Sequence, residues 1–146
     1  MSKKKIRHAD AELVLKLYDL RREAVMRQSR DAIAAWQPRS AAEVVEVTSP
    51  RHPLNAAWRQ VSSYFEMAYG FARHGVVDAD FLAENAGEGL FLFAKIKPHL
   101  AALRAATAPT ALRNAEWMVK KSDVAREKCA LFAKRIAKAL AESKPG

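Results

Sequence analysis

The chain has 146 residues, half of them hydrophobic and 28% charged, with one cysteine and a formal net charge of +9. That length and balance describe one globular domain with enough core to need no staple, and exclude a disordered chain. The lone Cys129 excludes an intrachain disulfide, and no uncharged apolar run approaches the ~18 residues of a membrane span.

The charge is unevenly spread. Residues 1–8 carry Lys3, Lys4, Lys5 and Arg7 with no acid, and residues 120–146 carry eight bases against three acids. Residues 9–119 hold 13 bases and 13 acids, so the body is neutral and the excess sits at both ends. A neutral body argues against a dedicated nucleic-acid fold, while basic ends can still attract polyanions. The opening "MSKKKIRHADAELVLKLYDL" has lysines before apolar residues, as a signal peptide does. Glu12, Lys16 and Asp19 interrupt the apolar run and no small-residue cleavage site follows, so a cytoplasmic protein is expected.

Helical periodicity dominates, and no sustained Val/Ile/Thr alternation competes with it. The first helix is predicted from Ala9 or Asp10 to about Trp36, with Leu13, Leu17, Leu20, Ala24 and Ile33 on one side and Pro38 as the stop. "SAAE" at 40–43 is a capping box. Ser40 should bond the amide of Glu43, whose carboxylate should return to the amide of Ser40, opening a short helix that ends before Thr48. A loop, "TSPRHP", follows.

The strongest signal lies at 54–73, where Leu54, Trp58, Val61, Phe65, Ala68 and Ala72 recur at helical steps, widened by Ala57, Tyr64 and Phe71. Gly75 is expected to end that helix in a left-handed turn, and Asp78 to cap the next, turning Phe81 and Leu82 inward. "GEG" at 87–89 should break it before "LFLFAKIKPHLAALRAA", in which Pro98 either kinks or divides the helix. Pro109 suits the first turn of a helix through about Lys120, and a last helix runs from about Asp123 to Glu142 with Ser122 as its cap. The expected architecture is all-α: an irregular bundle of six or seven helices around the 54–73 helix. Residues 9–142 form one domain, 1–8 a basic flexible tail and 143–146 a flexible end.

"LKLYDLRREAVMRQSRDAI", "VSSYFEMAYGFARHGVVDADF" and "LFLFAKIKPHLAALR" resemble a bacterial family of uncharacterised all-helical proteins. Its members look like a leading "lYdlRre" helix, a Tyr-aromatic-Glu helix ending in a G-x-x-D/N turn, and a helix with an internal proline. The resemblance covers residues 10–118, implies a helical fold and brings no catalytic residue with it.

Candidate chemistry is sparse. His74, Asp78, Asp80 and Glu84 could hold a divalent metal at a helix corner, but they match neither an HExxH helix nor a calcium loop. The preferred account makes His74 a partner of a helix C-terminus and Asp78 and Asp80 the cap and first turn of the next helix. Glu66, at the edge of the buried arc, is either a general acid with a raised pKa or, preferably, an ion-pair partner of Arg21 or Arg22. Cys129 lies on the apolar stripe of the last helix with Ala125, Phe132, Ile136 and Leu140, beside a crowd of Arg126, Lys134, Arg135 and Lys138. No catalytic set and no cofactor are expected.

Three functional readings follow. The first is a non-enzymatic helical module working by protein–protein contact, a homodimer being one form of it. The second is a polyanion or anionic-membrane binder using Lys3, Lys4, Lys5, Arg7, Arg126, Lys134, Arg135 and Lys138. The third is an enzyme or ligand binder with a pocket between the 54–73 and 89–106 helices, served by Glu66, His74 and Tyr64.

Overall fold

In the computed structural model, which describes residues 5–143, nine α-helices surround one core, and no strand occurs among the described residues. The expected first helix is two helices, α1 (His8–Arg21) and α2 (Ala24–Ala35). Neither glycine nor proline separates them. Glu23 does, by leaving helical geometry so that its carboxylate accepts from the amides of Val25 and Met26, each at 3.0 Å. The break reorients the apolar pattern. Leu17 and Ile33 are buried as expected, Leu20 and Ala24 are exposed, and Met26 and Ser29 are buried in their stead.

Helix α3 (Ala41–Val47) starts at Ser40, whose hydroxyl accepts from the Glu43 amide at 3.2 Å. The returning Glu43 carboxylate accepts from the amide of Arg39, one residue earlier than expected. The central α4 (Asn55–Arg73) buries Trp58, Val61, Phe65, Ala68 and Ala72, and also Tyr69, and packs against α2, α5, α6 and α8. Gly75 ends it with φ +79°, and Asp78 caps α5 (Ala79–Asn85) by accepting from Phe81 at 2.9 Å. Leu82 is fully buried and Phe81 partly so.

Gly87 precedes α6 (Glu88–Ile96), so the break falls at the first glycine of "GEG" only. Gly89 is inside the helix for a packing reason: an added Cβ would lie 2.5 Å from the Tyr69 hydroxyl and 2.6 Å from Phe65. It is the point where α6 meets α4. Pro98 divides the next stretch through a 3-10 turn (Lys97–His99) before α7 (Leu100–Ala106). Pro109 does not open a helix. It lies in a turn, and α8 (Arg113–Lys121) follows Leu112, which takes φ +55°. Helix α9 (Asp123–Glu142) has Ser122 as its cap, with the hydroxyl 3.0 Å from the amide of Ala125.

Helix α9 closes the bundle. Ala125 and Cys129 are buried, Phe132 meets Phe91 edge-to-face at 5.4 Å, and the helix packs on α5, α6 and α8. Its apolar stripe therefore faces protein.

Candidate functional site

Helix α1 is covered on one side only. Asp10 and Leu17 are buried and Ala11, Leu13 and Val14 half-buried, while Leu15, Tyr18 and Arg22, spaced three and four apart, are exposed along an adjoining face that looks outward. Leu15 is 67% exposed and Tyr18 46% exposed. The Tyr18 ring sits beneath two guanidiniums, Arg21 at 4.7 Å and Arg22 at 5.7 Å from its centroid. An aromatic held by neighbouring arginines loses little freedom on being covered. The exposed charges of this helix have both signs: Lys16 and Arg22 beside Asp19 and Glu12, the last bridged to His8 at 3.2 Å.

The hidden side of α1 is anchored by a joint that the sequence does not announce. Glu88, at the first turn of α6, accepts from Arg21 Nη1 at 2.7 Å and from Arg30 Nε and Nη2 at 2.7 and 2.5 Å. Arg30 Nη1 reaches back to the Arg21 carbonyl at 3.3 Å. The Glu88 carboxylate hydrogen-bonded to Arg30 holds that guanidinium above its ordinary pKa. Tyr64 on α4 donates to the Leu17 carbonyl, and burial raises the Tyr64 pKa while Arg21 and Arg30 oppose the rise. Arg21 thus belongs to both sides, stacked on Tyr18 outside and bonded to Glu88 inside.

Glu66 has a different partner from the one expected. Neither Arg21 nor Arg22 reaches it. Its carboxylate accepts from the amides of Asn114 and Ala115 at 3.0 and 2.8 Å, and Asn114 Nδ2 returns to the Glu66 carbonyl at 2.9 Å. Leu112 has no side-chain acceptor to offer the start of α8, so a carboxylate from α4 supplies it. Burial raises the Glu66 pKa, opposed by those two amides and by Arg104 and Arg113. The Asn114 side chain also presses on Gly70, where a Cβ would lie 2.9 Å from Nδ2.

The remaining candidates are dispersed. His74 and Glu84 are exposed, Asp78 caps α5, and Asp80 accepts from the Ser122 hydroxyl at 2.6 Å. Among the described residues no three His, Cys, Asp or Glu side chains converge as a metal site. A cavity of about 290 Å³ does lie between α4 and α7 with Glu66 on its wall, yet neither His74 nor Tyr64 lines it. Cys129 is buried, and that burial pushes its thiol pKa up, away from a reactive thiolate.

Of the basic candidates, Lys3 and Lys4 lie outside the described residues. Lys5 and Arg7 are exposed, and Arg126 is tied to Asp123 at 2.5 Å and to the Lys120 carbonyl at 2.8 Å. Lys134 and Lys138 face solvent, and Arg135 lies 5.8 Å from the Phe132 centroid. No helix among the described residues is long and apolar enough to cross a membrane.

A family model described as a domain of unknown function (DUF4760) matches residues 6–122. The chain belongs to that family. The matched segment contains α1 through α8 and stops at Ser122, the cap of α9. The outward face of α1 and the Glu88 joint are therefore inside the family's segment, and α9 is beyond it. No curated protein and no solved structure matches the chain.

Proposed function

We propose that this chain is a non-enzymatic helical module that acts by protein–protein contact through the outward face of α1, with a second copy of itself as partner. The observation that carries this reading is Leu15 and Tyr18 held side by side in solvent, the tyrosine bracketed by two arginines. Tyrosine and arginine are the residues that most often dominate interface energetics. Exposed charges of both signs around the stripe suit a two-fold copy better than a strongly charged partner. The acids read as candidate reagents, Glu66 and Asp80, are occupied in joining helices, which supports a binding role over a catalytic one.

Light scattering over a concentration series tests it. The wild type should pass from monomer to dimer, and Leu15→Glu should remain monomeric, with an unchanged melting temperature at concentrations where the wild type is itself a monomer. A wild type that stays monomeric at millimolar concentration would defeat the reading.

A second reading has one observation in its favour: Lys134 and Lys138 stay in solvent on the docked α9, and Lys5 and Arg7 are exposed as well. Polyanion binding through these ends would weaken steeply with salt and vanish on charge reversal of Lys134 and Lys138. An anionic membrane is a poorer partner for α9, because its apolar stripe is spent on α6 and Leu131 is its one large exposed hydrophobic residue among those described.

A further inference from the structure

A groove runs between α2 and α9 with α6 as its floor. It has two bays, of about 450 and 330 Å³, which share Ala34 and Phe91. Volumes of that size fall within the range of small-molecule sites, roughly 300–1,000 Å³.

The bays differ in charge. The larger contains Arg21 and Arg30 together with Glu88 and Asp31, so its charges cancel, and its remaining lining includes Ile33, Val61, Leu92 and Phe132. The smaller is lined by Lys95 and Arg135 and by no acid, with Gln37 at its edge and Phe91 and Ile136 as its apolar surfaces. The carbonyls at the C-terminus of α2 offset part of the Lys95 charge, and with Arg135 and no acid in the lining the field in this concave bay stays positive.

Lys95 is only 4% exposed, and its ammonium donates to the carbonyls of Ile33, Ala34 and Trp36 at 2.7, 3.0 and 2.5 Å. It closes the C-terminus of α2, so it contributes field and leaves hydrogen bonding to its neighbours. Arg135 is exposed on α9 with its guanidinium near Phe132, and the Gln37 amide oxygen accepts from Ser143 at 3.2 Å, leaving the amide nitrogen as the donor end.

We infer that this groove binds a small amphipathic carboxylate, its head between Arg135 and Gln37 above Lys95 and its apolar body laid across Phe91 toward the larger bay. An uncharged ligand would gain nothing from the two cations, and a cation would be repelled. An aliphatic acid and an aromatic acid share this chemistry, and the larger bay, open and lined by Phe91 and Phe132, decides between them. The head site, on α2, α6 and α9, contains no residue of α1, and the larger bay touches α1 only through Arg21, which also stacks on Tyr18.

Calorimetric titration of the full chain with octanoate, 3-phenylpropionate, 1-octanol and octylammonium tests the inference. One of the two acids should saturate at one per chain, and which one it is assigns the aliphatic or aromatic source. Octanol should bind more weakly and octylammonium not at all. Arg135→Ala, on an exposed position, should weaken the acid by about tenfold, the loss of one charge-assisted contact of ~1.4 kcal/mol. Ala139→Trp should fill the smaller bay and abolish binding without altering charge, with circular dichroism confirming that both variants are folded. Absence of saturable binding by either acid at millimolar concentration would overturn the inference. So would equal binding of octanol, or indifference to both substitutions.

Discussion

Helices α1 and α9 make an instructive pair, because the weaker apolar stripe is the better buried of the two. Helix α9 is basic and alanine-rich, with a stripe containing one large aromatic, and its sequence suits closing the bundle with a solvated basic face. It is docked, with Phe132 against Phe91 and Cys129 in the core. Helix α1 has more large apolar residues and reads as a core helix, yet buries only Asp10 and Leu17. The difference is geometric. An apolar stripe is buried only where a facing surface exists, and α6 provides one for α9. Once Glu23 breaks the first helix, α1 is attached by Leu13, Val14 and Leu17 against the core and by polar ties, from Tyr64 to the Leu17 carbonyl and from Arg21 to Glu88. What is left outside is a face free to meet something else.

The sharpest way to break this contrast is at the floor that α9 and α4 share. Gly89→Val puts a side chain where Tyr69 and Phe65 already are, and should cost about 3 kcal/mol or more, read as loss of cooperative thermal unfolding. Phe132→Ala should lower stability by about 2–3 kcal/mol in urea titration, since the ring is half-buried on Phe91. Leu15→Glu, an exchange of a similarly large apolar side chain on α1, should change stability by less than about 0.5 kcal/mol. Equal costs for these two would erase the distinction between a docked and an undocked helix.

Smaller effects sharpen the role of the buried charges. Glu66→Gln keeps the shape but presents an amide nitrogen to one of the two backbone donors of α8, and should cost about 1–2 kcal/mol by chemical denaturation. Lys95 gives a pH signature. Burial pushes its pKa down to about 8 from an ordinary 10.5, so between those values the unfolded chain holds a proton that the folded chain has released. Stability from this group therefore rises with pH across that window. The wild type minus Lys95→Met difference in unfolding free energy should grow between pH 8 and 10 by on the order of 1 kcal/mol, the three carbonyls favouring the charged form and limiting the gain.

Much of the fold is legible in the chain because the signals are local. The α4 stripe, the Ser40, Asp78 and Ser122 caps and the Gly75 turn depend on residues within a few positions of one another, and each is found where its chemistry requires. The elbow at Glu23 is not legible, since glutamate is an uncommon cap and no breaker marks the place. Pro109 misleads because a helix-opening proline and a turn proline look alike without the left-handed Leu112 that follows. The partners of Glu66 and Arg21 are hidden for another reason: the amides of α8 lie 48 and 49 residues from Glu66, and Glu88 lies 67 residues from Arg21. The one available hint of the groove is Lys95 itself, a single cation inside the apolar run "LFLFAKI".

A dilution series of the isotope-labelled chain, followed by backbone amide chemical shifts, tests most directly whether α1 presents the working surface. Concentration-dependent shifts gathered at Leu15, Tyr18 and Arg22, with Lys134 and Lys138 unmoved, are the predicted result. Shifts gathered on α9, or none up to millimolar concentration, would contradict it.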